Sequence, residues 1–272
     1  MAKRIVALLP QHSRYIEPFA GAASVFFRKS PAREEILSDA DVGLATFFTV
    51  VRDRPEEFIR LAALTAHSRE LWLECKAGWR RETDSVRMAW RWWVVAVQSF
   101  SAEWGSNWAS SVADRGQIPG ACRKLEKAIA ILQDVSMRLQ GVTVECCDGV
   151  DVLRRYCCNR SLAYCDPPYV LSTRVGGRRY RKEMTDEEHE RFVDALLELP
   201  GRFVVSGYAN GIYKRLEDAG WARLDWPAVA QAVGRTRHTG VLGEGSGRVH
   251  RRVESLWLDP ASARELALRS EP

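Results

Sequence analysis

No apolar run in this 272-residue sequence approaches the ~20 residues that cross a bilayer as a helix, so no membrane span is expected. The opening MAKRIVALLPQH has a basic pair but too short an apolar stretch for a signal peptide, which points to a soluble, cytosolic protein. Cysteine is sparse and ill-matched to cross-linking. The seven include the doublets Cys146/Cys147 and Cys157/Cys158, yet the count is odd and no CxxC pair repeats. Neither a disulfide framework nor a zinc site is indicated, no metal is expected, and buried reduced thiols are the natural reading. Charge of one sign is barely in excess: 40 basic against 35 acidic residues leave +5, a mild bias toward a polyanionic partner. Disorder is excluded by the 46% of apolar residues, enough for a sizeable core.

What the chain does have is an α/β alternation interrupted once. Residues 14–29, RYIEPFAGAASVFFRK, read as a short strand, a Gly-containing turn and the start of a helix, and EEILSDAD at 34–41 as a second strand ending in acids. The pattern resumes with VTVECCDG, a short helix in VDVLRRYC, the strand SLAYC, a helix with a Thr185/Glu188 capping box, and the strand RFVVSGY. WARLDW and RRVESLWL supply two late strands that could pair antiparallel across a long loop. Between these halves, residues 55–140 are helical in pattern and carry seven of the ten tryptophans, as an inserted domain would. Val86, Trp90, Trp93, Val94 and Val97 fall at helical spacing and are expected in its core, while Trp104 and Trp108 lie in a loop with polar neighbours and are candidates for ligand contact.

Two stretches carry chemistry. A Gly turn between strand and helix lets backbone N–H groups approach a ligand closely, and an acid about 20 residues on can bind ribose hydroxyls; Gly21 and Asp39 have that spacing, although Asp39 could equally cap the following helix. The second is LAYCDPPYVL, residues 162–171. Two prolines cannot donate backbone hydrogen bonds, so the strand ends with a carboxylate, bare carbonyls and an aromatic ring at the C-terminal edge, where open α/β sheets bind ligands. Two basic loops follow, one holding Arg174, Arg178, Arg179, Arg181 and Lys182, the other Arg235, Arg237, Arg248, Arg251 and Arg252. Both suit phosphate contacts, against the ordinary alternative of solvated charge.

Together, EPFAGAA at 17–23 and DPPY at 166–169, in this order around a helical insertion, resemble the Dam-like (D12 class) adenine-specific DNA methyltransferases. The resemblance implies a Rossmann-like class I methyltransferase fold, mostly parallel with late antiparallel strands. Its catalytic domain would comprise residues 1–54 and 141–272, and residues 55–140 would form a helical target-recognition insertion. It implies S-adenosyl-L-methionine as cofactor, bound by Lys3, Glu17, Pro18, Phe19, Gly21, Ala22, Ala23, Asp39, Asp148 and Asp166. Lys3 would stand at the last lysine of the family's opening Lys/Trp-x-Gly-Gly-Lys segment, the rest of which is not in this chain, and Ala23 stands where a second glycine is usual.

The implied catalytic set is Asp166, Pro167, Pro168 and Tyr169. Acceptors at Asp166 and Pro167 would grip the amino hydrogens of an adenine flipped out of double-stranded DNA, with Tyr169 stacked on the base. The implied partner is duplex DNA, with the chain acting as monomer or weak dimer; a cognate restriction enzyme on one side and a solitary or phage enzyme on the other are both left open. N4 methylation of cytosine, and a methyltransferase-like module that holds DNA without turnover, are the alternative readings.

Overall fold

A computed structural model describes residues 1–100, 104–110, 119–173, 182–229 and 251–269. Seven strands form one sheet in the order β3-β2-β1-β4-β5-β7-β6. They are β1 (Arg14–Glu17), β2 (Glu34–Ser38), β3 (Thr143–Glu145), β4 (Ser161–Cys165), β5 (Arg202–Gly207), β6 (Ala222–Val229) and β7 (Arg251–Leu258). Strands β1 to β5 are parallel, and β7 runs antiparallel to both β5 and β6, so the late pair expected from WARLDW and RRVESLWL forms as read. The five residues of β4 are all buried, the uninterrupted apolar run of a strand covered on both faces.

The helices are α1 (Ala2–Leu8), α2 (Val42–Asp53), α3 (Pro55–Ala63), α4 (Arg69–Gly78), α5 (Ser85–Gln98), α6 (Gly120–Ala130), α7 (Leu132–Leu139), α8 (Gly149–Tyr156), α9 (Asp186–Glu198), α10 (Lys214–Asp218) and α11 (Pro260–Arg269). The period-two alternation of the strands sorts them between two layers. Tyr15, Leu37, Leu162, Tyr164, Val204 and Leu256 share one apolar cluster with α1, α2 and the helices of 55–140. Ile16, Ile36, Ala163, Cys165, Phe203, Val205 and Trp257 share the other with α8, α9 and α10. Val86, Trp93 and Val94 are buried in α5 as expected, and Trp90 and Val97 are partly buried beside them. The helices start where side chains satisfy their first N–H groups: Asp41 caps α2, Asp148 caps α8, and Thr185 with Glu188 closes the full capping box on α9.

Residues 18–29 depart from expectation. They form a series of turns and no regular helix, because Gly21 and Ala23 both adopt left-handed backbone (φ 46° and 48°), which a right-handed helix cannot contain. The thiols also differ from the expectation. Only Cys75 and Cys165 are buried, four are half-buried, and Cys146 is exposed, because the doublets sit in turns at strand and helix ends.

The helical segment leaves and rejoins the sheet layer at one place. Arg52 at the end of α2 donates to the Val142 carbonyl (2.6 Å), and Gln140 donates back to the Arg52 carbonyl (2.9 Å). At the other end of α2, Trp92 of α5 lies so close that a Cβ on Gly43 would fall 2.1 Å from its ring. Among the described residues no helix is long and apolar enough to cross a membrane, and no cluster of His, Cys, Asp or Glu is arranged to hold a metal.

Candidate active site

Strands β1 and β4 are neighbours (Ile16 opposite Ala163), yet the chain leaves one toward β2 and the other toward β5. Such a reversal opens a crevice at the C-terminal ends of the strands. Here it is a cleft of about 1480 Å³. Of the residues singled out in the sequence, Phe19, Gly21, Ala22, Asp39, Asp148, Asp166, Pro168 and Lys182 line it. The volume exceeds the roughly 300–1,000 Å³ of an ordinary small-molecule site because α5, α6 and α7 supply a far wall, with Trp92, Trp93, Trp104 and Val135.

The near wall is the turn after β1. A Cβ on Gly21 would meet nothing within 4 Å, so its backbone borders open space. Ala23 is fully buried in a left-handed conformation that disfavours any side chain by about 1–2 kcal/mol. This is the physical reason that glycine suits the position. Asp39 ties the turn down, its Oδ2 accepting from the Gly21 N–H (3.0 Å) and its Oδ1 from the Asp41 N–H (2.8 Å). It is therefore not the cap of α2, a role taken by Asp41.

Glu17, Pro18 and Ala23 lie beneath the turn, buried and outside the cleft wall. Burial pushes the Glu17 carboxyl up to about 8, against the opposing hydrogen bond from Tyr15, so the group is neutral at pH 7. Lys3 is not brought to the cleft. Helix α1 buries Ile5 and leaves Lys3 exposed, outside the lining residues.

The floor is the end of β4. Asp166 is open to the cleft, Pro167 is buried behind it, and Pro168 and Tyr169 are half-buried. Protein packed around the remaining sides desolvates the Asp166 carboxyl and pushes it up to about 6. A hydrogen bond from the Tyr169 side chain works against that shift, and the charge of Glu254 on β7 adds to it. Tyr169 meets Tyr208, the residue after β5, edge to face at 4.7 Å. Tyr164 and Ser206 brace the two strands underneath with a 2.7 Å hydrogen bond.

The third side is the N-terminus of α8. Asp148 accepts from the Val150 N–H through Oδ1 (2.9 Å) and from Arg191 of α9 through Oδ2 (3.0 Å). Helix α8 can approach this closely only because residue 149 is glycine: a Cβ there would lie 2.4 Å from the Phe19 ring. Cys146 and Cys147 border the same wall. Trp104 lines the cleft, its indole bonded to the Trp92 carbonyl (3.0 Å), whereas Trp108 stacks on His67 outside the wall. Lys182 is exposed at the rim. Arg174, Arg178, Arg179, Arg181, Arg235, Arg237 and Arg248 lie outside the described residues, and Arg251 and Arg252 belong to β7, where they pair with Val229 and Ala228 of β6, and not to a loop.

A family model for D12 class N6 adenine-specific DNA methyltransferases matches residues 1–222. The chain belongs to that family. It is therefore an enzyme of adenine-N6 DNA methylation, and the cytosine and non-catalytic readings fall. The match spans the turn after β1, the helical segment and DPPY, and ends where β6 begins. No curated protein matches the methyltransferase. Members of this family generally depend on S-adenosylmethionine, and DNA is their substrate.

Three features at or beside the cleft of the methyltransferase have no counterpart in the sequence analysis. Tyr208 carried a usable signal, an aromatic at the C-terminal end of the strand after DPPY. Arg191 and Trp92 carried none, since their roles depend on the packing of α9 against α8 and of α5 against α2.

Proposed function

We propose that the cleft holds S-adenosyl-L-methionine along the Gly21–Ala22 turn, with Asp39 toward its ribose and Asp148 toward its adenine, and receives a flipped adenine at Asp166–Tyr169. The observation that carries this reading is the convergence of Gly21 and Asp166 on one cleft from the adjoining ends of β1 and β4. The residues fit the group: Gly21 leaves open a space that any side chain would fill. Bound there, the cofactor would supply an activated methyl on a sulfonium sulfur.

The protein's part is to make a poor nucleophile competent. An amino group conjugated to a purine ring has a delocalised lone pair. The Asp166 carboxylate and the Pro167 carbonyl each accept a hydrogen bond from one of its two N–H groups, which localises that pair for attack. Consecutive prolines keep the local backbone without competing donors. Tyr169, with Tyr208 against it, offers an aromatic surface that offsets the few kcal/mol of unstacking the base. Helices α3–α7, of which α5–α7 face the floor across the cleft, serve as the target-recognition insertion, and Lys182 with the two basic loops contacts phosphate on double-stranded DNA.

The test is incubation with labelled cofactor and varied duplexes, followed by nucleoside analysis. N6-methyladenine is the expected product. Asp166→Ala should lower kcat by roughly 10²–10³-fold, the scale of losing a preorganised polar contact to the reacting group, with DNA affinity kept within about threefold. Retained turnover in that variant refutes the role given to Asp166.

A further inference from the structure

One residue of the EPF motif faces away from the cleft it helps to build. Glu17 ends β1 with 2% of its surface exposed. Its Oε2 accepts from the Tyr15 hydroxyl (2.7 Å) and from the Phe26 N–H (3.2 Å). The second bond matters because the turn above has no helical ladder to support it. Its other ties join the turn to itself or hold its ends: Ala20 N–H to the Ser38 carbonyl, Gly21 N–H to Asp39, Ala23 N–H to the Ala20 carbonyl, Phe27 N–H to the Ala23 carbonyl, the Arg28 and Lys29 N–H groups to the Val25 carbonyl, and Arg138 to the Phe26 carbonyl; Glu17 alone reaches its middle from the end of β1.

We propose that Glu17 is a positioning residue for methyl transfer, holding from below the turn whose upper side at Gly21 and Ala22 faces the methyl donor, and making no contact with the donor itself. This rests on the reading of the Gly21 turn as the cofactor's seat.

The surroundings agree with an acceptor that carries no charge. Tyr15 faces Glu17 from its own strand, Lys29 from the turn, and Tyr164 and Asp166 from β4. Lys29 is engaged elsewhere, paired with Glu35 at 2.5 Å and lying 4.4 Å over the Tyr15 ring, and Glu35 is held in turn by Arg138 of α7. Burial raises the Glu17 carboxyl to about 8, which favours its uncharged form near neutrality. Beside Asp166 this leaves a single charged carboxylate where β1 meets β4. What the turn requires of position 17 is thus length and an acceptor oxygen. An amide of equal length supplies both, whereas an aspartate, one methylene shorter, withdraws the oxygen from the Phe26 N–H.

Calorimetry with S-adenosylhomocysteine in the absence of DNA tests this, alongside thermal melting of each variant without ligand. Glu17→Gln should bind within about threefold of wild type, and Glu17→Asp and Glu17→Ala at least about tenfold more weakly, the effect of one lost hydrogen bond. Glu17→Asp keeps the chain folded if the alanine variant does not, so it decides the matter alone. If the glutamine variant binds as weakly as the aspartate, the carboxyl acts on the ligand directly and the proposal is overturned. Equal binding by all variants overturns it too. Absence of binding to wild type overturns the site reading instead, which separates the two failures.

Discussion

Gly43→Ala tests how closely the helical segment is fitted to the cofactor side of the cleft. In an ordinary helix this change is favourable by about 0.8–1 kcal/mol. Here the new Cβ would sit 2.1 Å from Cδ1 of Trp92, 2.4 Å from Nε1 and 2.8 Å from Cγ, so the indole must retreat by more than 1 Å. Its retreat is obstructed by Phe47 (ring centres 5.9 Å apart) and Trp104 (6.3 Å). Among the described residues the Trp92 N–H has no hydrogen-bond partner, so no bond is broken and the whole effect is overpacking, about 2–3 kcal/mol for a ring gripped on both sides.

The net loss is then about 1–2 kcal/mol, or a fall in Tm of roughly 2–8 °C for a chain of this size. Because the Gly43 N–H bonds Asp41 and the Asp41 N–H bonds Asp39, cofactor affinity should fall with it. Thermal melting and urea denaturation of Gly43→Ala, Trp92→Leu and the double variant give the coupling. With leucine, which can swing aside, Gly43→Ala should turn neutral or stabilising. A rise in Tm for Gly43→Ala in the presence of Trp92 would refute the argument.

Two further outcomes follow from the site. The free enzyme's kcat/KM should rise as pH increases through about 6 and level off above it, because the raised Asp166 carboxyl must lose its proton to serve as the charged acceptor beside the Pro167 carbonyl. A flat pH–rate profile between pH 5 and 8 contradicts that role. Ala23→Gly should change stability in urea by less than about 1 kcal/mol, since relief of about 1–2 kcal/mol of backbone strain offsets the lost methyl and the freer unfolded chain. A loss above about 2 kcal/mol would mean that φ 48° carries no strain.

The elements legible in the sequence are those fixed by local chemistry. SLAYC stops where two prolines remove its donors, Thr185 and Glu188 announce the start of α9, and the late strands alternate plainly enough to pair as read. After the glycine turn SVFFRK has the pattern of a helix start, yet turns continue there because a second left-handed residue, Ala23, follows the visible glycine. Glu17 shows a different limit. Its motif names it, but whether it lines the cleft or lies beneath it depends on which way the end of β1 faces. Arg191, paired with Asp148 from 43 residues away, depends on tertiary packing that no local pattern encodes.

The bonds joining Arg52 to Val142 and Gln140 to Arg52 close the loop between α2 and β3 on itself. A segment whose two ends are already side by side places no geometric demand on what lies between them, and lengthening it adds only slowly to the entropy of closure. The sheet and the DPPY edge can therefore be inherited unchanged while the intervening helices diverge. The condition is that a replacement still covers Phe47 and Phe48 of α2, as Trp92 and its neighbours do. On the proposal that α3–α7 read the target, exchanging this one cassette at its stitched seam should change the preferred DNA sequence.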